Sequence, residues 1–212
     1  MESGGKMFSW LKNKLGIGYH NEIERKWLLK KNKYNYIDIP YVFIAQKYFL
    51  ISKLKEKRIR KSVYYNSNEE KQKEKYTIDT KKGIGLIRKE KSREIKQSKF
   101  KRKFQQINGI PIKKKVYYLD YAKKYDLNYS LNLEIHRFIG KSSYFIEDLV
   151  EIEFEDKFDS EVVCRAIKEK GLFSSFLGEE VTNDSYYKNK YLYKRMNKGA
   201  NKYENKRDSR KI

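Results

Sequence analysis

The sequence predicts an α+β protein built on one closed, eight-stranded antiparallel β-barrel with a few flanking helices. Three observations carry that expectation. β-branched and aromatic residues dominate from about residue 20 to residue 155, and polar residues tend to recur there at every second position. Six of the eight candidate strands also set paired ionisable groups on one face. A solvated outer face would explain any one of these strands. It does not explain six together, because the opposite faces hold Trp27, Ile59, Ile87, Ile135 and Ile152, which need cover. Closing the sheet turns the charged face into an interior just wide enough for one small ligand.

Taken in order, residues 1–17 begin with a Gly/Ser stretch and continue into Phe8, Trp10, Leu11 and Leu15, the apolar side of a short amphipathic helix. Packing on the domain outweighs membrane-surface contact for that segment. Strands are expected at about 20–29, 43–51, 56–65, 74–82, 86–96, 112–120, 131–139 and 148–155. Between the fifth and sixth, Gln97 to Ile107 reads as a helix stopped by Asn108-Gly109 and Pro111. Asp159 to Glu169 reads as another, ended by Gly171, and Asp184 to Met196 as a third. From Lys190 to Ile212, nine Lys/Arg face two Asp/Glu and apolar residues thin out after Met196. The expected organisation is an extension over 1–18, a tunnel domain over 19–197 and a basic, disordered tail over 198–212.

Composition narrows the function classes. The 212 residues carry 50 Lys+Arg against 28 Asp+Glu, a formal net charge of +22. Nineteen Tyr and eleven Phe are too much bulky apolar material for a disordered chain. One cysteine, Cys164, cannot close an intramolecular disulfide, and two histidines, His20 and His136, are too few for a Cys/His zinc site. No stretch approaches the roughly 20 apolar residues of a membrane helix, and the N-terminus lacks the apolar core of a signal peptide, so a cytoplasmic location is expected. The positive excess draws polyanions: nucleic acid, acidic membrane or a phosphate-rich small molecule. A low-GC coding bias, which enriches Lys, Asn, Tyr and Ile together, accounts for the same charge without any binding.

The identity of the alternating residues discriminates further. The first strand aligns Glu22, Glu24 and Lys26; the third, Arg58 and Arg60; the fifth, Arg88 and Glu90. The sixth pairs Lys113 with Lys115, the seventh Glu134 with His136, and the eighth Glu151 with Glu153. Carboxylates crowded in a barrel repel one another unless a cation sits among them. Mg²⁺ and Mn²⁺ take oxygen ligands, which fits the near absence of Cys and His. Arg and Lys on the remaining strands match phosphate oxygens. Together these describe a site for a polyphosphate.

Glu22-Ile-Glu-Arg-Lys26 resembles the ExExK strand of the CYTH superfamily, the triphosphate tunnel metalloenzymes. The resemblance continues in order through Gln46-Lys-Tyr48, Arg58-Ile-Arg60, Arg88-Lys-Glu90, Glu134-Ile-His-Arg-Phe138 and Val150-Glu-Ile-Glu-Phe154. Its last part, Gly178 to Leu192, is similar to the EVTxDxxYxN ending of short bacterial members. The resemblance implies an eight-stranded tunnel that binds a triphosphate with one or two Mg²⁺ or Mn²⁺ ions and hydrolyses inorganic tripolyphosphate. It implies Glu22, Glu24, Glu90 and Glu153 as metal ligands, assisted by Glu134 and Glu151. Arg58, Arg60, Arg88, Lys113 and Lys115 would clamp phosphates. A Thr-x-Lys element falls on Thr80 and Lys82, with Lys81 as the rival register. Lys26 and Tyr48 match a base dyad, though Lys26 serves equally as a phosphate contact and Tyr48 as a packing aromatic.

Three departures stand out: Ser92 and His136 occupy positions where carboxylates are usual, and Lys115 one where Arg is commoner. They leave open one metal site rather than two, a shifted substrate range, or weakened chemistry. Nucleoside, thiamine and RNA 5′-triphosphates are alternative substrates, and a non-catalytic polyphosphate or nucleic-acid binding module is the alternative of a different class. The partner expected is a small triphosphate, nucleic acid through the tail being less favoured, with no membrane span and a monomer or homodimer.

Overall fold

The alternation of charged with β-branched or aromatic residues becomes nine strands in the computed structural model, which describes residues 20–30, 39–83, 87–120, 132–154 and 157–198. The amphipathic segment expected over 1–17 and the tail beyond Lys198 lie outside the described residues. In chain order come β1 (His20–Leu29), β2 (Tyr41–Ile51), β3 (Lys55–Tyr65), β4 (Lys71–Lys82) and β5 (Ile87–Glu94). Helix α1 (Gln97–Gln106) leads to β6 (Ile112–Asp120) and β7 (Asn132–Phe138). A 3₁₀ turn (Gly140–Tyr144), β8 (Leu149–Phe154), α2 (Lys157–Lys170) and β9 (Leu177–Glu180) follow, then a second 3₁₀ turn (Ser185–Tyr187) and α3 (Asn189–Asn197).

Eight of these strands close on themselves. The hydrogen-bonded order is β5-β4-β3-β2-β6-β7-β8-β1, and β1 returns to β5 through Glu22↔Arg88 and its neighbours, every pairing antiparallel. The fold is therefore the α+β closed barrel that the charge alternation predicts. β9 was not expected from the sequence. Its four residues lie against the end of β1, where a side chain on Gly178 would meet the Leu28 carbonyl oxygen at 3.0 Å. A Cβ there would press the Leu28 backbone back by a few tenths of an ångström, which favours glycine at this close approach.

Both faces of the wall carry the period-two pattern. Outside, α2 and the segment after it cover Ile23, Trp27, Leu133, Ile135 and Ile152, and α1 covers Ile59 and Tyr76 with Phe100. Inside, apolar residues close both ends. Val42, Ile44 and Val116 with Tyr64 and Tyr118 fill one end; Tyr48, Ile112, Phe138 and Leu149 fill the other, capped by Leu192, Tyr193 and Met196 of α3. Leu192 is fully buried, worth roughly 2 kcal/mol of apolar transfer. Between the two plugs lies a belt of charge. No helix among the described residues is long and apolar enough to cross a membrane.

Candidate active site

Strand parity places the belt. Glu24 and Lys26 of β1, Glu56 and Arg58 of β3, Asp79 and Lys81 of β4, Glu90 of β5, Lys114 of β6, Glu134 and His136 of β7 and Glu151 of β8 are all buried. Arg60, Arg88 and Glu153 share their faces at intermediate exposure. So many buried charges persist only when paired and hydrogen-bonded. Lys26 pairs with Glu24, and its Nζ lies 2.5 Å from Glu151 Oε1. Arg88 reaches Glu24 at 3.1 Å, while Lys81 sits 3.0 Å from Glu90 and 3.6 Å from Glu24. Arg58 donates through Nε to Asp79 at 2.9 Å and through its terminal nitrogen to Glu90 at 3.2 Å.

These pairings set the protonation states. Burial would raise the Glu24 carboxyl, but Lys26, Lys81 and Arg88 hold it well below the usual carboxylate range. Burial likewise opposes the charged form of Lys26, and Glu151 and Glu24 outweigh it, so its ammonium is held above the ordinary lysine value. Asp79 is depressed despite burial by Arg60 and Arg58. Lys114 goes the other way: burial, reinforced by Lys26 and Arg60 against the pull of Glu151, brings its ammonium down to about 7. Burial raises the Tyr48 phenol, whose hydroxyl is buried without a well-formed hydrogen bond. The Gln46 side chain, fully buried on the same face of β2, also has both amide atoms unpartnered.

Two small cavities occupy the belt. One of about 30 Å³ is lined by Glu24, Lys26, Tyr48, Arg58, Lys81 and Arg88, with Lys188, Asn189 and Lys190 from the start of α3 at its edge. The other, about 50 Å³, is lined by Glu90, Lys114, Glu134, His136, Glu151 and Glu153 among others. A larger groove lies elsewhere, beside Leu28, Tyr144 and Tyr187, away from the charged belt.

Against the sequence-predicted set, the structure brings together Glu24, Lys26, Tyr48, Arg58, Arg60, Lys81, Arg88, Glu90, Glu134, Glu151 and Glu153. Glu22 stands opposite Arg88 in the backbone register, and its side chain lies outside the described residues. Lys82, Lys113 and Lys115 are placed elsewhere. Lys113 is exposed; Lys115 points to the outer surface, its ammonium over the Tyr41 ring and 3.5 Å from Glu69. Lys114, between them, is the inward lysine. On β4, Lys81 rather than Lys82 faces in, so the rival register holds and Thr80 faces away. The reason is the same in both strands: a one-residue slip exchanges the two faces of a strand. Ile112 and Val116, buried in the inner apolar plugs, fix Lys114 between them, and Asp79, pinned by Arg58, fixes Lys81.

Sequence reasoning missed Glu56, Asp79, Lys114, Thr182, Lys188, Asn189 and Lys190. Phasing the fourth strand on Lys81 would have exposed Asp79, two residues earlier. Asp79 also accounts for Ser92, its direct cross-strand partner, which donates to it at 2.6 Å. The carboxylate that Ser92 lacks is thus present on the neighbouring strand.

No protein-family model matches the chain, and neither does any curated protein. Solved structures do. The crystal structure of the inorganic triphosphatase NE1496 is 24% identical over 81% of this chain and 93% of that one, with a TM-score of 0.48. A structure of the hypothetical protein NE1496 is 23% identical, covering 81% and 96%, at 0.47. The PH1819 protein from Pyrococcus horikoshii OT3 is 15% identical over 84% of this chain and 99% of that one, at 0.51. At 15% identity the likeness to PH1819 is one of fold. The closed antiparallel barrel of eight strands is thus a fold the chain shares with PH1819.

Proposed function

We propose that the chain is a divalent-metal-dependent triphosphatase that hydrolyses inorganic tripolyphosphate to pyrophosphate and phosphate within the tunnel. One observation carries this reading: a closed barrel interior in which carboxylates of β1, β4, β5, β7 and β8 interleave with Arg58, Arg60, Lys81 and Arg88. A polyphosphate needs both signs at once, cations for its oxygens and carboxylates for the accompanying metal.

The donor set fits such a metal. Glu24, Glu90, Glu134 and Glu151 are buried oxygen donors on one inner wall, and Glu22 and Glu153 flank them on their strands. A bound Mg²⁺ or Mn²⁺ would neutralise phosphate oxygens and acidify a coordinated water. The remaining work falls to the side chains. Arg58 on β3 and Arg88 on β5 offer forked donors to the first cavity, and Lys81, on the strand between them, adds a point charge. Arg88 and Lys81 pair with Glu24, and Arg58 and Lys81 with Glu90; were those carboxylates to hold a metal, the same donors would be left for phosphate oxygens. Lys26, whose ammonium is held protonated while it pairs with Glu24 and Glu151, would serve in that state as a charge that stabilises developing negative charge. Tyr48, its phenol raised by burial, acts as a hydrogen-bond donor. The two cavities share Glu24, Arg58, Lys81 and Asn189 in their linings, so a chain of phosphates would meet both.

The test is phosphate release by the full chain with Mg²⁺ or Mn²⁺ on tripolyphosphate, ATP, GTP, thiamine triphosphate and a 5′-triphosphorylated RNA. Turnover should be highest on tripolyphosphate, vanish on chelation, and fall at least about 100-fold in Glu24→Gln. Tight tripolyphosphate binding without turnover on any substrate would instead make the tunnel a binding module.

A further inference from the structure

The outer wall behind the charged belt is basic over three adjacent strands. Alternation turns Lys55 and Lys57 of β3, Lys82 of β4 and Lys89, Lys91 and Arg93 of β5 outward. Their register is in line: Lys82 stands directly opposite Lys55 on one side and Lys89 on the other, and Thr80 opposite Lys57 and Lys91. Neighbouring strands are only about 4.8 Å apart, and like charges placed directly opposite destabilise a sheet. The acids of these strands lie elsewhere. Glu56, Asp79 and Glu90 are buried in the belt, and Glu94 follows Glu90 on the same parity. Glu74 does point outward, and it is taken by Lys61 at 3.0 Å and Lys71 at 2.9 Å.

Helix α1 extends the wall. It packs Phe100 against Tyr76 and Ile59 and leaves Lys99, Lys101 and Arg102 exposed, and no Asp or Glu occurs from Ile95 to Leu119. A coding bias toward lysine raises positive charge everywhere; it does not clear one face of acids in a chain that has 28 of them. A regular array of one sign complements a phosphate backbone rather than a protein surface, whose interfaces need an apolar centre. Among the described residues the aromatic rings of this face are covered: Tyr76 and Phe100 are buried, Lys103 lies 4.3 Å over Phe49, and Lys47 4.7 Å over Phe104. Single strands are held by stacking on exposed rings, and bilayers by inserted apolar side chains. Leu54 and Ile87, exposed at one end of the wall, are too few for either. A duplex, with phosphates outside and bases stacked within, asks only for cations.

We propose that the outer face of β3, β4 and β5, together with α1, docks double-stranded nucleic acid through its phosphate backbone without reading sequence. The surface lies outside the tunnel and stands or falls apart from the triphosphatase reading. The two regions hold phosphate differently. Tunnel cations are fixed in buried pairs, whereas the wall is an open field of solvated lysines, so its binding falls steeply with salt as counterions compete.

The experiment follows fluorescence anisotropy of a labelled duplex DNA of about 20 base pairs with the full chain, from about 50 to 200 mM NaCl. Duplex RNA, a single strand of the same sequence and phosphatidylserine-containing vesicles are the other arms. Two variants remove equal charge: Lys89→Ala, Arg93→Ala, Lys99→Ala, Arg102→Ala on the wall, and Lys113→Ala, Lys141→Ala, Lys168→Ala, Lys170→Ala at exposed positions off it. The basic residues beyond Lys198 are common to all three chains and cancel. Expected for the unaltered chain are a dissociation constant of about 10⁻⁶ to 10⁻⁴ M near physiological salt on either duplex, and a slope of log affinity against log salt of about −4 to −6. The wall variant should flatten that slope by about 3 to 4, since each lost phosphate contact removes about 0.9, and bind at least about tenfold more weakly at 50 mM. The variant off the wall should keep the slope within about 1. Where the fourfold wall change unfolds, Lys99→Glu alone, at an exposed position of α1, should weaken binding in the same direction. Equal losses in both variants mean a diffuse field and overturn the proposal. So does tighter binding to the single strand or the vesicles than to duplex, or a slope shallower than about −2 in the unaltered chain. Tripolyphosphate turnover in the wall variant should stay within about twofold, so duplex binding without turnover in any chain sinks the triphosphatase alone.

Discussion

Lys81 and Lys82 are adjacent, identical in type and opposite in fate. Lys81 is buried between Glu90 and Glu24, and Lys82 is exposed on the outer wall. Lys81→Ala is expected to lower kcat/KM on tripolyphosphate by about 100- to 1,000-fold, the cost of one preorganised charge at a reacting centre. Lys82→Ala should stay within about twofold, and steady-state kinetics on the pair checks the register as well as the role. Asp79 gives a second test, in stability. Its folded pKa is depressed by Arg60 and Arg58 against burial, so its contribution is full above the unfolded value of about 3.9 and is lost as pH falls through the folded value. Asp79→Asn leaves two arginines short of a partner. Urea unfolding should show about 3–5 kcal/mol lost at pH 7, with the gap to wild type narrowing below about pH 4. A gap independent of pH would mean that Asp79 serves packing and not charge.

At the scale of elements, legibility depended on what separates the charges. In Arg58-Ile-Arg60 and Glu151-Ile-Glu153 an isoleucine stands between two ions, so the face assignment follows from the residues, and the barrel bears it out for both pairs. Lys113-Lys-Lys115 and Lys81-Lys82 place lysine at both parities, and the period-two signal vanishes. There the phase is set by tertiary neighbours, Ile112 and Val116 in the plugs and Asp79 against Arg58, which no local pattern displays. β9 was illegible for a related reason: four residues held by the edge of β1 have no amphipathic period of their own. Helix α3 was expected from Asp184 and begins at Asn189, after a separate 3₁₀ turn, and how it is held was hidden as well. Gly109 sits at φ +104, and the loop around it takes a hydrogen bond from Tyr193 at Asn108 O and gives one from Ile110 to Asn197. A Cβ on Gly109 would meet Asn197 at 2.6 Å and Tyr193 at 2.8 Å. Gly109→Ala is therefore expected to cost about 2–4 kcal/mol, combining left-handed backbone strain with overpacking. Hydrogen exchange should show the loss concentrated in α3, with β3 and β4 still protected.

For the molecule as a whole, a net charge of +22 suggests that any polyanion would adhere, which makes binding alone weak evidence for a site. The barrel separates the two contributions. Among outer-wall lysines, Lys113 meets solvent and Lys115 the Tyr41 ring and the exposed Glu69, so their field is screened over about 8–10 Å at ordinary salt. Tunnel cations are held in fixed pairs, and a phosphate chain that displaces those pairs from within is screened far less. Tripolyphosphate should thus stabilise the protein even with metal chelated. At 100 times its dissociation constant the gain is about 2.7 kcal/mol, which in a chain of this size is a rise of about 5–10 °C in melting temperature. The rise should survive 0.3 M NaCl and the double change Lys113→Ala, Lys115→Ala. It should disappear in Arg58→Ala, because Arg58 is the donor tied to both Asp79 and Glu90 at the centre of the belt. If instead salt abolishes the shift and the outer-wall lysines carry it, the polyanion is binding the surface field, and the tunnel is not where it goes.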